Sequence, residues 1–313
     1  MRFDVYAELA LQTACPTDGS PPAGLASGFV DGCTSWSTRG NSQRNDARRQ
    51  YLQRASSTPL ALPGCLRLDP PFDRLPDSSW LAIEVAFTLR TPWYSKDDRP
   101  FHVLDNPLRK DRVFGVPYMP AASWKGLLRW ACRMQAGLHD YLSQHGGALD
   151  GWKDAAWIVH LFGNEKAKDN EKVRANDLQQ GALVFCPTWF DKIRFEVINP
   201  HTCERRAGTQ PIYYEVVPAD TKGVLRLLYA PLPGAAVRDK VTPEDAIDRL
   251  LEAIQALLTT YGISAKRTAG WGSVGVSHWT ARRNGQTPIR ETSLVDFKTK
   301  VKSWVNTAEA CDG

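Results

Sequence analysis

Between Leu81 and Arg90 the chain alternates: Leu81, Ile83, Val85, Phe87 and Leu89 are large and apolar, while Ala82, Glu84, Ala86, Thr88 and Arg90 are small, polar or charged. Successive side chains of a strand point to opposite faces, so this period-two run predicts a half-buried β-strand with one face that must be covered. Two segments of helical period can cover it. Pro120 blocks helix ahead of it, Ser123 is a suitable N-cap, and Trp124, Leu127, Leu128, Ala131, Met134, Leu138 and Leu142 recur near the helical spacing. Further on, Thr242 reads as a cap, Pro243 suits the first position and Asp245 stands like a capping-box acid. Ile247, Leu250, Leu251, Ile254, Leu257, Leu258 and Tyr261 then line one face before Gly262 ends the helix. Strand-like runs fall at Ala182–Phe185, Arg194–Ile198, Ile212–Val217, Val224–Ala230 and Ser273–Trp279. Strand, helix, several strands, helix, strand is a split βαβ order, which predicts an α+β, ferredoxin-like sheet with insertions and with its helices on one face. RNA-recognition domains use the same topology, but a fold does not by itself give a function.

Residues 1–80 differ in character, being rich in Pro, Gly, Ser and Thr with one charged, helix-compatible segment from Asn41 to Ala55. They are expected to form an N-terminal extension ahead of a folded domain at 81–313. The polar stretch Glu165–Gln180 is expected to be a mobile insertion that proteases cut first. With 313 residues, 42% of them hydrophobic, the chain can bury a sizeable core, and a net charge of +5 favours a polyanionic partner over a membrane. No apolar run is long enough to cross a bilayer, Met1-Arg2-Phe3-Asp4 opens no signal peptide, and the seven cysteines include no C-x-x-C pair. A cytoplasmic protein with free thiols is expected. His201 and Cys203, with His139 or His160, are scattered candidates for a metal and equally ordinary polar or core residues.

Chemistry concentrates in two segments. The first is Asp105-Asn106-Pro107-Leu108-Arg109-Lys110-Asp111-Arg112, followed by Pro117-Tyr118-Met119-Pro120 and the helix start. Along that helix Lys125, Arg129 and Arg133 follow at i+4 steps and so lie on one line, beside first-turn amides that lack helical partners, together a place for a phosphate. A solvated cationic face is the plain alternative. The second is Gly262–Gly275, whose four glycines allow close backbone approach, with Lys266 and Arg267 for charge and Trp271 for stacking. A glycine-rich turn with two surface cations is its plain alternative. Neither Walker nor dinucleotide patterns occur, so no nucleotide cofactor is expected.

Taken together, Asp105-Asn106-Pro107 with Arg109 and Asp111, Pro117–Gly126 with Arg129, Leu161-Phe162-Gly163 and the Gly262–Gly275 turn resemble, in order, the motifs of the RAMP superfamily of CRISPR effector proteins. The likeness is to the backbone-forming subunits of type III (Csm- and Cmr-type) complexes and spans roughly Leu81 to Trp279. Thr91–Asp98 stands where those proteins carry a His-Ile-Gly-Gly turn, Ala121-Ala122-Ser123 replaces Gly-Ser-Ser, and the long N-terminal extension departs from their compact form. The resemblance implies a guide-RNA-binding subunit that assembles with other effector subunits and meets target RNA. It places the RNA contacts at Arg109, Lys110, Arg112, Ser123, Lys125, Arg129, Arg133, Lys266, Arg267 and Trp271. It also places Asp105 at the position on which target-RNA cleavage depends, through a 2′-hydroxyl attack assisted by the carboxylate or by a Mg2+ ion it holds. His102 reads either as a general acid or as a loop histidine. Two other readings stay open: a non-cleaving subunit that caps the complex, and a guide-RNA-processing endoribonuclease, which lacks the Asp-Asn-Pro segment.

Overall fold

The computed structural model describes residues 41–57, 60, 72–97, 102–111, 115–164, 179–199 and 211–309. The expected insertion (165–178 of it), Arg112, His201 and Cys203 lie outside them. The architecture is α+β. Five strands, β1 (Leu81–Leu89), β3 (Leu183–Phe185), β7 (Lys222–Tyr229), β8 (Val274–Arg282) and β9 (Ile289–Glu291), form one antiparallel sheet in the order β3-β7-β1-β8-β9. The alternation that announced β1 is realised residue for residue, with Leu81, Ile83, Val85, Phe87 and Leu89 all buried.

Three helices and a short ribbon close that buried face. α2 (Ala121–Gln135) sends Trp124 and Leu128 into the core, where Trp124 meets Phe87 edge-on with ring centres 6.2 Å apart. The Trp124 indole N–H donates to the Thr188 hydroxyl at 3.0 Å, which in turn donates to the Val224 carbonyl at 2.6 Å, so the buried polar atoms are paired. A short ribbon of β2 (Tyr118–Met119) and β4 (Thr188–Trp189) fixes the approach to α2. α6 (Pro243–Ala256) begins after Thr242, as its sequence predicts, and continues through a π-helical stretch at Leu257–Tyr261 to Gly262. Each fully buried leucine on such a face contributes about 1.5–3 kcal/mol, and Leu250, Leu251, Leu257 and Leu258 are all so placed. The fourth element, α7 (Leu294–Glu309), escaped the sequence reading although Leu294, Phe297, Val301 and Trp304 keep helical spacing; Phe297 packs on Trp279, and Lys298 bridges to Asp248 and Glu252 of α6.

Two expectations are corrected. The α2 cap is Pro120 and not Ser123: Pro120 is extended, and the amides of Ser123 and Trp124 both bond to its carbonyl. The run to Leu142 is two helices, because Gly137 takes φ +96° and separates α2 from α3 (Leu138–Gln144). Between α3 and β3 lies α4 (Ala156–Phe162), and between β7 and α6 lies α5 (Ala235–Asp239).

The extension supplies a helix, α1 (Asn41–Ser57), whose Ala47, Tyr51 and Ala55 are buried in the main core. This helix of the extension is thus packed into the main core. α1 lies against a second ribbon, β5 (Arg194–Ile198) with β6 (Ile212–Val216), through Tyr51 and Phe195 and through an Arg194 bond to the Ser56 carbonyl. Among the described residues no helix is long and apolar enough to cross a membrane, and Cys132 and Cys186 are free thiols.

Candidate nucleic-acid interface

The Asp105 loop is held from both sides. Asn106 bridges to Tyr214 of β6, the Glu215 amide donates to the Asn106 carbonyl at 3.1 Å, and the Leu108 amide donates to Glu215 Oε2 at 2.9 Å. From α1, Arg48 donates to the Val103 carbonyl at 3.3 Å and to Asp105 Oδ2 at 3.0 Å. The Asp105 side chain stays 69% exposed, so it sits at the surface with one oxygen oriented by Arg48. His102 accepts the Leu104 amide on Nδ1 at 3.0 Å and meets Tyr51 edge-on. Its Nδ1 thus shapes the loop.

Lys110 does not reach a surface phosphate. Its ammonium is buried at 2.7 and 2.8 Å from the two Glu215 oxygens and donates to the Tyr51 hydroxyl at 2.8 Å, while Tyr51 donates to Glu215 at 2.6 Å. Burial pushes the Glu215 carboxyl up, but the Lys110 charge, His102 and the Tyr51 hydroxyl outweigh it and hold it below the usual carboxylate range. The group titrates in the unfolded chain near 4.5 and lower in the folded one, so its stabilisation is complete above that pH and is lost as pH falls through the folded-state value. Acid unfolding followed by circular dichroism should begin at a lower pH in the Lys110→Met, Glu215→Gln double variant, which has neither a carboxylate there to protonate nor an ammonium left unpaired, after its lower starting stability is allowed for.

The cationic line on α2 forms, but two of its members are engaged. Arg129 and Arg133 both clasp Asp154, with contacts of 2.6–2.9 Å, and the Trp152 indole adds a third donor at 3.0 Å. Burial raises the Asp154 carboxyl and these donors outweigh it, leaving it lowered. Such half-buried bidentate pairs hold the helix to the 152–154 turn. Lys125 remains exposed. Ser123 is half-buried in the first turn, three residues past the Pro120 cap. Arg109 is half-buried and donates to the Lys96 carbonyl at 3.1 Å.

The glycine turn is closed on itself: the Ile263 amide donates to the Gly272 carbonyl at 2.9 Å, and Gly272 (φ +85°) sits so tightly that a Cβ there would lie 2.3 Å from the Ser264 nitrogen. At this position close approach serves the fold and not a ligand. The turn is tied to the end of β1, since the Ala265 amide donates to the Tyr94 carbonyl and the Trp93 indole donates to the Ile263 carbonyl. Its charges lie half-buried against rings. Lys266 lies 5.0 Å over Tyr214, and the Arg267 guanidinium 4.6 Å over Trp130 of α2. Arg267 Nη1 is buried without a hydrogen-bond partner. Trp271 meets Tyr94 and Tyr214 edge-on and is half-buried, so it builds the platform more than it offers a free face.

A chain of contacts therefore runs from Asp105 through Asn106, Tyr214, Lys266 and Arg267 to Trp130, joining segments far apart in sequence. Arg48, Tyr214, Glu215 and Trp130 were not foreseen; for α1 the signal was the i+4 series Ala47, Tyr51, Ala55. His160 is no metal ligand here, since its Nδ1 pairs with Asp239 at 2.8 Å and its Nε2 with the Tyr229 hydroxyl at 2.9 Å. No group of three or more His, Cys, Asp or Glu suited to a metal occurs among the described residues.

No curated protein matches the sequence. Among solved structures, the chain is similar to one in a type III-B Cmr-β complex bound to cognate target RNA (16% identity, TM-score 0.40, covering 65% of this chain and 61% of that one). It is similar also to one in a Csm3–Csm4 subcomplex of the type III-A CRISPR–Cas interference complex (15%, 0.41, 72% and 95%), and to one in a CRISPR RNA-guided surveillance complex in its pre-nicking state (12%, 0.43, 64% and 75%). The chain thus spans 61% of the length of the first of these. The family model of the RAMP superfamily matches residues 86–275, from within β1 to the start of β8 and well over half of the chain, so the chain belongs to the RAMP superfamily.

Proposed function

We propose that this chain is an RNA-binding subunit of a type III CRISPR effector complex in the cytoplasm, that it holds guide RNA beside its glycine turn and α2, and that Asp105 serves cleavage of bound target RNA. The observation that supports the reading is the convergence of Asp105, Lys266 and Arg267 on one ribbon, β5–β6, and on α2. The core is read as ferredoxin-like, with β8-β1-β7-β3 as the four strands and α2 and α6 as its two helices. In the proposed reaction the Asp105 carboxylate takes the proton of the target's 2′-hydroxyl, the freed oxygen attacks the adjacent phosphorus, and the 5′-oxygen leaves and takes a proton from water. Among the described residues Asp105 belongs to no group of three or more metal-suited side chains, so any Mg2+ it held would draw ligands from RNA and water as well, and would supply charge balance there. The Arg48–Asp105 ion pair favours a second reading, a capping subunit that binds guide RNA and other effector subunits without cutting, with Asp105 as a structural anchor for α1.

Binding is tested by Lys125→Ala, Lys266→Ala and Arg267→Ala together. Each lost phosphate contact should lower the slope of log affinity against log salt by about 0.7 for single-stranded RNA, about 2 in all. An unchanged slope in fluorescence-anisotropy titrations contradicts the interface. Arg129→Ala is not part of this set, because it leaves Asp154 short of a partner and acts on stability.

A further inference from the structure

We infer that the second face of the five-stranded sheet, turned away from α2, α6 and α7, binds a nucleic-acid backbone without reading its bases. The inference rests on the chain being an RNA-binding subunit but concerns a surface distinct from the glycine turn. On β1 this face carries Ala82, Glu84, Ala86 and Thr88, continued by Arg90. Register sets Arg226 beside Glu84 on one side and Thr280, then Arg290, on the other; Lys222 flanks Thr88 opposite Gly275. Arg90 lies over Gly275, where a Cβ would come within 3.1 Å of its Nε. Phe72, Leu75 and Trp80 cover the end of the face at Ala82 and Leu228. Of the remainder Thr280 is buried, Glu84, Ala86, Thr88, Val224 and Gly275 are half-buried, and Arg90, Lys222 and Arg290 are exposed.

Charge selects the occupant. Among the described residues, Arg90, Lys222, Arg226, Arg282 and Arg290 stand on or beside the face with the carboxylates of Glu84 and Asp73, Glu84 being shared by Arg226 at 3.1 Å and Arg282 at 3.4 Å and Asp73 paired with Arg282 at 3.3 Å. The field is felt at the centre, where burial and Arg290 push the His278 imidazole down. Protein partners draw affinity from large apolar or aromatic anchors, yet the open floor offers Ala86, Thr88, Val224 and Gly275, with Val184 exposed at its β3 edge. A phosphodiester chain needs only cations around a flat, accessible floor. No Phe, Tyr or Trp of β1, β7, β8 or β9 points to this open area, since Phe87, Tyr229 and Trp279 are buried on the other side. Phosphate contacts carry no sequence information, and the stacking groups left to the face, His278 and the arginine planes, accept any base, so binding should be indifferent to sequence.

The test is a salt titration of the full chain binding two single-stranded RNAs, oligo(U) and a mixed sequence, by anisotropy. Arg90→Gln, Lys222→Gln and Arg290→Gln together should lower the slope by about 2 on both RNAs, at about 0.7 per contact, with the thermal unfolding midpoint unchanged. Should the triple variant unfold early, Lys222→Gln alone should lower it by about 0.7. An unchanged slope overturns the inference, as does a loss confined to one RNA, or an unchanged slope with loss of a co-purifying acidic protein subunit. A drop here with none for the Lys125, Lys266 and Arg267 variant would instead sink the glycine-turn interface and leave this face standing.

Discussion

Lys110→Met is expected to destabilise the folded chain by about 3–5 kcal/mol, the effect of removing one partner from a buried ion pair. The Lys110 side chain is 3% exposed and that of Glu215 0%, and the two are in direct contact at 2.7 Å. Without the ammonium, Glu215 keeps, among the described residues, the Tyr51 hydroxyl and the Leu108 amide as hydrogen-bond donors to its side chain and becomes a buried charge that must take up a proton. The loss spreads, because the same carboxylate holds Leu108 and Lys110 of the loop against β6 and accepts the Tyr51 hydroxyl from α1. Chemical denaturation of the single variant measures it. Adding Glu215→Gln should recover part of the loss, since an amide can be buried neutral. A surface lysine that binds phosphate would behave otherwise, losing RNA affinity while leaving stability within about 0.5 kcal/mol of the parent.

That contrast marks where local pattern stops being informative. β1 was legible to the residue because alternation is a local signal that burial then enforces, and α6 because Thr242, Pro243 and Gly262 punctuate it. The start of α2 was misplaced by three residues because an extended Pro120 followed by two alanines begins a helix without a polar cap. The charges of the site were the least legible. Arg129 and Arg133 are taken up by Asp154, and Lys110 by Glu215 at a sequence separation of 105 residues. A sequence shows that a cation exists, but whether a carboxylate from another element neutralises it depends on the packing. Arg48 illustrates the converse, a residue of the extension with no motif around it that folding brings onto the one carboxylate the motif singles out.

The second large effect concerns that carboxylate. Asp105→Asn should leave the fold intact, since the side chain is largely exposed and an amide oxygen can still accept from Arg48. Guide and target binding should persist, because the proposed phosphate contacts lie at Lys125, Lys266 and Arg267. Proton removal from the 2′-hydroxyl should fail, and a positioned general base is worth about 10²–10⁴ in rate. The decisive measurement is single-turnover cleavage of a labelled target RNA by the complex assembled with this variant, beside the unsubstituted complex at equal target occupancy. The account predicts that the cuts made at this subunit's positions slow by about 10²-fold or more while occupancy is unchanged. Cleavage at the unmodified rate, or no cleavage by either complex, would contradict it and assign Asp105 to anchoring Arg48 and α1 in a non-cutting subunit.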